Sequence, residues 1–201
     1  MNVFSAATSW AIASHNQSKI KEIADLIAPY SIAAKGAHSL NLPEPEETET
    51  GFVGNAVLKA RAGAAASGLV ALADDSGLAV NALDGDPGVY SARWAGEPRD
   101  FGKAMGRVHE ALKAKGTRDY SARFVCVLAL AHPDGEVRTY EGEVCGSLTF
   151  PPRGDQGFGY DPIFVPDGHN TTFAQMPAAL KRSMSHRANA FALMMDDIFP
   201  S

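Results

Sequence analysis

The sequence is poor in the features that mark a chain for an oxidising compartment, a membrane or a nucleic-acid surface. It has two cysteines in 201 residues, Cys126 and Cys145. They stand far apart, outside any CxxC pair and away from clustered histidines, so neither a disulfide framework nor a zinc site is indicated, and buried free thiols are expected. The longest unbroken apolar run covers residues 124–131, well short of the roughly 20 residues needed to cross a bilayer. No charged-then-apolar segment opens the chain as a secretory signal would. A cytoplasmic protein without a membrane partner is expected. Basic residues are not in excess: 18 Lys and Arg against 23 Asp and Glu leave a net charge of −5. Proteins that coat duplex nucleic acid usually carry a basic face, so no nucleic-acid partner is expected. Any anionic ligand must meet a local basic pocket.

Three common nucleotide motifs are absent as well. Gly102-Lys103 is followed by Ala104 and lacks the glycine spacing of a P-loop. Gly157-Phe158-Gly159 is not a dinucleotide fingerprint, because Pro162 stands at the third glycine position and no helix begins easily there. There is no glutamate-rich REXXEE helix of the Nudix kind.

What is present reads as mixed α/β, with helices covering an elongated, largely central sheet. Apolar residues make up 45% and charged residues 20%, ordinary values for a chain that buries a core. No repeat or long linker divides it, so residues 1–201 are expected to form a single domain. Residues 10–14 are a short apolar strand feeding a turn, after which Ile20, Ile23, Ala24 and Ile27 recur at helical spacing until Pro29. Val53, Val57, Ala60 and Ala64 share one face of a second helix, with Asn55 and Lys59 on another. Residues 70–73 read as a buried strand that stops at the polar Asp74, Asp75, Ser76 and Gly77. Residues 124–131 and 136–145, joined through His132, Pro133, Asp134 and Gly135, form a long hairpin. Phe191, Met194, Met195 and Ile198 mark a C-terminal helix.

Five groups could carry chemistry. Ser14, His15, Asn16, Gln17, Ser18 and Lys19 form a polar turn entering a helix, whose free N–H groups and positive dipole end favour phosphate. Ser14 and Gln17 also have capping-box spacing, so an ordinary cap is the alternative. Glu47 sits in an acidic loop ahead of Asn55 and Lys59 on a helix: hard cations such as magnesium take carboxylate oxygens, and a lysine can hold phosphate oxygens, though taken alone an acidic loop is more often a solvated charge run. Asp74 and Asp75 before Ser76 offer a metal ligand and a proton acceptor, or simply a turn. Phe158, Gly159, Tyr160 and Asp161 lie in a glycine-rich loop with a ring to stack on a flat base, or to pack in the core. Lys181, Ser185, His186 and Arg187 lie near the start of the last helix, where cations oppose the dipole unless an anion or keto oxygen is held.

Together these segments resemble the inosine triphosphate pyrophosphatases, enzymes of non-canonical purine nucleoside triphosphates. The resemblance rests on residues 14–19, Asn55 to Ala60, residues 73–78, residues 85–93, residues 157–162, Lys181 and residues 185–187, in that order along nearly the whole chain. It implies two lobes with a nucleotide cleft between them, hydrolysis of ITP, dITP or XTP to monophosphate and pyrophosphate, Mg2+ as cofactor, and a homodimer. It further implies that residues 14–19 hold phosphates, that Glu47 and Asp75 bind metal and that Lys59 contacts the triphosphate. Asp75 would be the general base, with Asp74 beside it. Ser76 would touch substrate, and Phe158 to Asp161, Lys181, His186 and Arg187 would embrace the base and a nearby phosphate.

Two positions depart from the family pattern. Gly54 stands where a glutamate is common before Asn55, and His15 replaces a frequent glycine, which is tolerable if its φ stays negative. A pyrophosphatase of the Maf-like type with another specificity, and a nucleotide-binding regulator that does not hydrolyse, are the alternatives. The 185–187 motif speaks against the first. Asp74, Asp75 and Lys59 speak against the second.

Overall fold

Strand β1 (Ser9–Ile12) runs into helix α1 (Gln17–Ile27), which returns the chain to β2 (Ala33–Gly36); helix α2 (Phe52–Ser67) then leads into β3 (Val70–Val80). β1 pairs in parallel with both strands, Trp10 opposite Ala34 and Val70, Ile12 opposite Gly36 and Leu72. A parallel pair needs a crossover of a dozen or so residues, and α1 and α2 supply the two. Helix α3 (Phe101–Lys115) precedes β4 (Ser121–Ala131) and β5 (Val137–Leu148); β6 (Phe164–Pro166) and helices α4 (Ala178–Met184) and α5 (His186–Ile198) complete the chain. β6 is antiparallel to β5, Leu148 opposite Phe164. In this computed structural model, which describes residues 3–200, the six strands form one mixed sheet in the order β2-β1-β3-β4-β5-β6. The mixed α/β class expected from sequence is the observed one. No helix among the described residues is long and apolar enough to cross a membrane.

Successive strand side chains point to opposite faces, and in β1 and β3 that parity sorts large residues from small. Trp10, Ile12, Val70 and Leu72 share a core cluster with Ile23 and Ile27 of α1 and with Phe191, Met194, Met195 and Ile198 of α5. Ala11, Ala13, Ala71 and Ala73 share another with Ala56, Ala60 and Ala64 of α2. Alanine facing alanine lets α2 lie close on its face of the sheet, while α1 and α5 rest on bulkier side chains.

The chain divides into two compact units. The first contains residues up to Asp75, Cys126–Gly142 and residues from Ala188; the second contains Ser76–Val125 and Glu143–Arg187. The two clusters just described are the core of the first. Leu78, Val80, Leu112, Phe124, Phe164 and Phe173 lie in the core of the second, where the Phe124 and Phe164 rings are 4.6 Å apart.

Three expectations are corrected. β3 does not stop at Asp74 and Asp75 but continues to Val80: the aspartates are mid-strand residues whose charges are met by lysines, so the polar run need not turn away. Cys126 is buried as expected, but Cys145 is exposed, because it falls on the outward parity of β5. Lys181 is not beside the start of the last helix but in the last turn of α4, where the dipole favours a cation. The β4–β5 hairpin has longer strands than read from sequence, and its turn is closed by the His132 N–H donating to the Glu136 carbonyl at 2.8 Å and the Gly135 N–H to the His132 carbonyl at 2.9 Å.

Gly63 packs close against the sheet. A Cβ there would lie 2.8 Å from the Ala13 Cβ and 3.2 Å from the Ala71 Cβ, and neither methyl group can swing aside. Glycine to alanine within a helix gains about 1 kcal/mol by propensity, whereas overpacking costs roughly 1–3 kcal/mol. The packing term wins. Gly63→Ala is expected to lower the urea unfolding midpoint, and Gly63→Val to lower it further; a raised midpoint in Gly63→Ala would show that α2 can lift from the sheet at no cost.

Candidate active site

The turn after β1 caps α1 through Asn16 rather than Ser14. Asn16 is extended, with φ −82° and ψ 108°, and its side-chain oxygen accepts from the Ser18 and Lys19 N–H groups at 3.0 and 3.4 Å. Ser14 instead accepts from the Asn16 N–H at 3.3 Å, one step before the helix, so the capping-box spacing with Gln17 is coincidental. His15 is exposed and is not among the positive-φ residues, so it replaces a glycine without backbone strain. Its Nδ1 lies 3.8 Å from Glu44 Oε2. Gln17 and Ser18 are exposed in the first turn of α1, and Lys19 follows them.

The parity of β3 then separates the two aspartates. Asp74 follows Val70 and Leu72 toward the α1 face, and its Oδ2 lies 2.9 Å from Lys19 Nζ. Asp75 follows Ala71 and Ala73 toward α2, where Lys59 Nζ lies 3.5 Å from its Oδ1 and 2.7 Å from Glu47 Oε1. Asp74 and Asp75 are only 2% and 5% exposed. Two adjacent buried carboxylates are tolerable because each meets a cation from a different helix. Burial pushes the Asp75 carboxyl above its ordinary value, Glu47 and Asp74 push the same way, and Lys59 and Lys19 oppose them without prevailing. Burial pulls Lys59 down, but Asp75, Asp74 and Glu47 outweigh it, and the ammonium titrates above its ordinary value. Both shifts have a plain cause: Lys59 is shared by several carboxylates, whereas the burial of Asp75 outweighs the cations beside it.

In the second unit Lys181 and Asp161 form a buried pair, Nζ to Oδ2 at 2.6 Å. The same Asp161 oxygen accepts from the Phe158 N–H at 2.8 Å, and the Lys181 ammonium lies over the Phe158 ring at 4.8 Å and the Phe173 ring at 5.6 Å. Gly157, at φ 73°, makes this possible, since a Cβ there would run into Asp161 Oδ2. Phe158 and Gly159 are half-buried, so the Phe158 ring keeps a surface for a flat ligand. Tyr160 is buried, with its ring edge-on to Phe101 and its hydroxyl donating to the Ser91 carbonyl at 2.9 Å; burial raises its pKa. His186 stacks on Phe124 at 5.0 Å. Arg187, 2% exposed, donates from Nη2 to Ser76 Oγ at 3.2 Å. Buried cations beside a half-buried ring can recognise an anion or a carbonyl on an aromatic ligand.

Two further residues bond into these groups: Asn55, read from sequence beside Lys59, and Ser91, which the sequence does not single out. Asn55 donates from Nδ2 to Asp75 Oδ2 at 3.3 Å and to the Glu49 carbonyl at 3.2 Å; its signal is its place one turn before Lys59 on the same helix face. Ser91 accepts from the Leu78 N–H at 2.9 Å and donates to the Gly88 carbonyl at 2.7 Å. Nothing in its sequence context marks it beyond membership of the 85–93 segment.

Glu47 and Asp75 converge on one positive charge, the Lys59 ammonium. Magnesium is commonly held by one or two carboxylates, with water and substrate phosphates completing its shell, rather than by a full protein cage. A two-carboxylate set fits that pattern. No group of three or more His, Cys, Asp or Glu suited to a metal occurs among the described residues.

Fold and side chains together define a class, a mixed α/β protein with lysines paired to buried carboxylates. More particularly, the chain belongs to the Ham1 family, whose sequence model matches residues 10–197. A dITP/XTP pyrophosphatase of Rhodospirillum centenum is 58% identical over 195 residues, 96% of each chain. One of Zymomonas mobilis is 55% identical over 185 residues, 92% of this chain and 88% of that one. Among solved structures, a HAM1 protein from Coxiella burnetii superposes with a TM-score of 0.89 at 37% identity, covering 96% of this chain and 99% of that one. A nucleoside-triphosphatase / dITP/XTP pyrophosphatase from Mycobacterium abscessus gives 0.73 at 38% identity, covering 96% and 100%. The resemblance read from the motifs is thereby borne out.

The Lys181–Asp161 pair generates a stability prediction. Removing one partner of a buried pair leaves an uncompensated charge and costs about 3–5 kcal/mol. Asp161→Ala is expected to fall in that range by denaturant unfolding, and adding Lys181→Met should recover part of the loss. Equal stability of Asp161→Ala and the parent would show that the ammonium reaches water without its partner.

Proposed function

We propose that this chain hydrolyses non-canonical purine nucleoside triphosphates (ITP, dITP and XTP) to the nucleoside monophosphate and pyrophosphate, with Mg2+ as cofactor, and so removes them from the nucleotide pool. The observation that carries the reading is the pair of buried aspartates on β3, each matched to a lysine from a different helix, in a chain 58% identical to a protein named dITP/XTP pyrophosphatase. The enzyme is on this reading a single domain of residues 1–201, cytoplasmic and homodimeric, without nucleic-acid or membrane partners. β3, β4 and β5 each lend residues to both units, which supports one domain.

The residues divide the work by their chemistry. Ser14, His15, Asn16, Gln17, Ser18 and Lys19 receive phosphate oxygens at the N-terminus of α1, where backbone N–H groups and the dipole favour anions. Asp74 orients Lys19. Lys59 neutralises triphosphate oxygens, and Glu47 and Asp75 hold the cation. When bound, Mg2+ draws charge from the phosphate oxygens as in-line attack develops. Asp75 accepts the proton of the attacking water, the role its place beside Lys59 and Asn55 allows. Phe158 stacks on the base, with Gly159 keeping the loop close and Tyr160 anchoring it through Ser91. Asp161, Lys181, His186, Arg187 and Ser76 read the base edge and a nearby phosphate.

Selectivity follows from the base edge. Hypoxanthine and xanthine carry an oxygen at position 6 and an N–H at position 1; adenine inverts both. Donors from Arg187 or His186 and an acceptor from Asp161 or a carbonyl would be left unpaired against adenine, and such mismatches reject a substrate by about 10⁴-fold.

A panel of triphosphates with Mg2+ is expected to show ITP, dITP and XTP cleaved far faster than ATP, with GTP also poor and pyrophosphate released. Comparable ATP turnover, or direct release of orthophosphate, would sink the reading. Asp75→Asn is expected to lower kcat by at least about 10²-fold, the usual scale of a general base, with the fold retained by circular dichroism; near-normal turnover would remove Asp75 from its role. Light scattering at micromolar concentration is expected to return the mass of a dimer, and a monomer would count against the two-fold assembly.

A further inference from the structure

The chain leaves β3 at Val80 and doubles back along it. The Gly85 N–H donates to the Val80 carbonyl at 3.0 Å, the Val80 N–H donates to the Asp86 carbonyl at 3.2 Å, and Pro87 bridges antiparallel to Ala79. The returning segment closes on Gly77, where an added Cβ would run into the Gly88 carbonyl and lie 2.5 Å from Ser91 Oγ. Ser91 is buried at that point and bonds to two other segments. Its Oγ accepts from the Leu78 N–H at 2.9 Å while donating to the Gly88 carbonyl at 2.7 Å. Its own carbonyl accepts from the Tyr160 hydroxyl at 2.9 Å.

Each end of this connection lies within two residues of a group proposed to contact the ligand. Leu78 comes two residues after Ser76, whose Oγ accepts from Arg187 Nη2 at 3.2 Å. Tyr160 precedes Asp161, whose Oδ2 accepts from the Phe158 N–H and from the Lys181 ammonium. The Tyr160 ring is set edge-on against Phe101, so its hydroxyl approaches Ser91 from a fixed direction. A hydroxyl both donates and accepts, which lets one small side chain join a strand N–H to a loop carbonyl. Alanine can do neither.

We propose that Ser91 is a positioning residue of the base-recognition site: its hydroxyl holds β3 just beyond Ser76, its carbonyl holds the loop of Phe158 and Asp161, and together they set the spacing between the Ser76–Arg187 pair and the Phe158, Asp161 and Lys181 group. The inference rests on the proposed function for the nature of the ligand. Recognition groups must be held to within roughly 0.5 Å of their working geometry by the bonds that support them. When Ser91 loses its hydroxyl, the Leu78 N–H and the Gly88 carbonyl lose a buried partner, and the backbone shifts to replace it. Asp75 and Lys59 are held by one another, Glu47 and Asn55, so the loss falls on binding rather than on the chemical step.

The test uses the full chain with inosine monophosphate (IMP) as the probe, its affinity read by titration calorimetry, beside unfolding midpoints and steady-state ITP hydrolysis with Mg2+. Ser91→Ala is expected to weaken IMP binding about tenfold, less than the roughly 10²-fold that a 1 Å misplacement can cost, and to raise KM for ITP in step with little change in kcat. A merely structural loss would instead reduce the folded fraction, lowering apparent kcat and binding stoichiometry while leaving KM and affinity at parental values. Tyr160→Phe keeps the ring against Phe101 and removes only the bond to the Ser91 carbonyl. It is expected to weaken IMP binding in the same direction, and it carries the test should Ser91→Ala not fold. The double variant is expected to lose less than the product of the two single losses, because both cut one connection. Parental IMP affinity in either single variant, fully multiplicative losses in the double variant, or no IMP uptake by the parent would overturn the inference. A parent that binds IMP but leaves ITP intact refutes the proposed hydrolysis and not the role of Ser91, whereas a parent that cleaves ITP, with Ser91→Ala at parental KM, refutes this inference alone.

Discussion

The arrangement of the first unit turns on the burial of two adjacent carboxylates, Asp74 and Asp75, in the middle of a strand. Taking one charge out of water costs several kcal/mol after relaxation, and two side by side cost more unless each is paired. A β-strand offers one way to pair both: consecutive side chains leave by opposite faces, so each carboxylate can be met by its own helix. Lys19 reaches Asp74 from α1 and Lys59 reaches Asp75 from α2. The parallel pairing of β1 with β2 and β3 is what brings both crossover helices to that strand. Topology and charge are in this sense one solution.

The packing around the pair is unequal, and the inequality sets its chemistry. On the α2 face the sheet shows Ala11, Ala13, Ala71 and Ala73, and Gly63 brings the helix backbone closer still. A long side chain on so close a helix need not stretch to reach the sheet. Lys59 can therefore serve Glu47 and Asp75 together, and Asn55, one turn earlier, can reach Asp75 and the backbone of Glu49 at once. On the other face Trp10, Ile12 and Leu72 pack with Ile23 and Ile27 of α1, and Lys19 reaches Asp74 at 2.9 Å. Burial, with Glu47 and Asp74 adding to it, raises the Asp75 pKa.

Much of this is legible in the sequence because it depends on local spacing. The period of Ile20, Ile23 and Ile27, the Phe191 to Ile198 stripe, the His132 to Gly135 turn and the relation of Asn55 to Lys59 are properties of neighbouring residues. What is hidden depends on partners distant along the chain. Asp-Asp-Ser-Gly has the composition of a turn, and only Lys19, Lys59 and Arg187, each far along the chain, make those residues strand. The cap of α1 is Asn16 rather than Ser14 because of where the turn places one oxygen, a matter of a single residue. β2 escapes sequence reading because its residues are largely exposed and carry no alternation. Lys181 stands out in the sequence as a candidate cation, but its separate helix does not, since the break at Ser185 is an extended residue (φ −71°, ψ 154°) rather than a proline or glycine.

The second unit shows the same logic in a loop instead of a strand. Asp161 accepts from both the Phe158 N–H and the Lys181 ammonium through one oxygen, so a single buried carboxylate fixes loop backbone and cation together. Burying such a pair is weak evidence of stabilisation, because an apolar pair of the same volume would often serve stability as well or better. Its value lies in geometry. Gly157 at φ 73° leaves room for the Asp161 oxygen, Tyr160 anchors the loop to Ser91, and the Phe158 ring is left half-buried beneath an ammonium that cannot relocate without stranding its partner. A hydrophobic substitute would keep the loop folded but would place neither charge nor ring. The residues that cost most to bury here, Asp161 and Lys181, are thus the ones whose positions their partners fix.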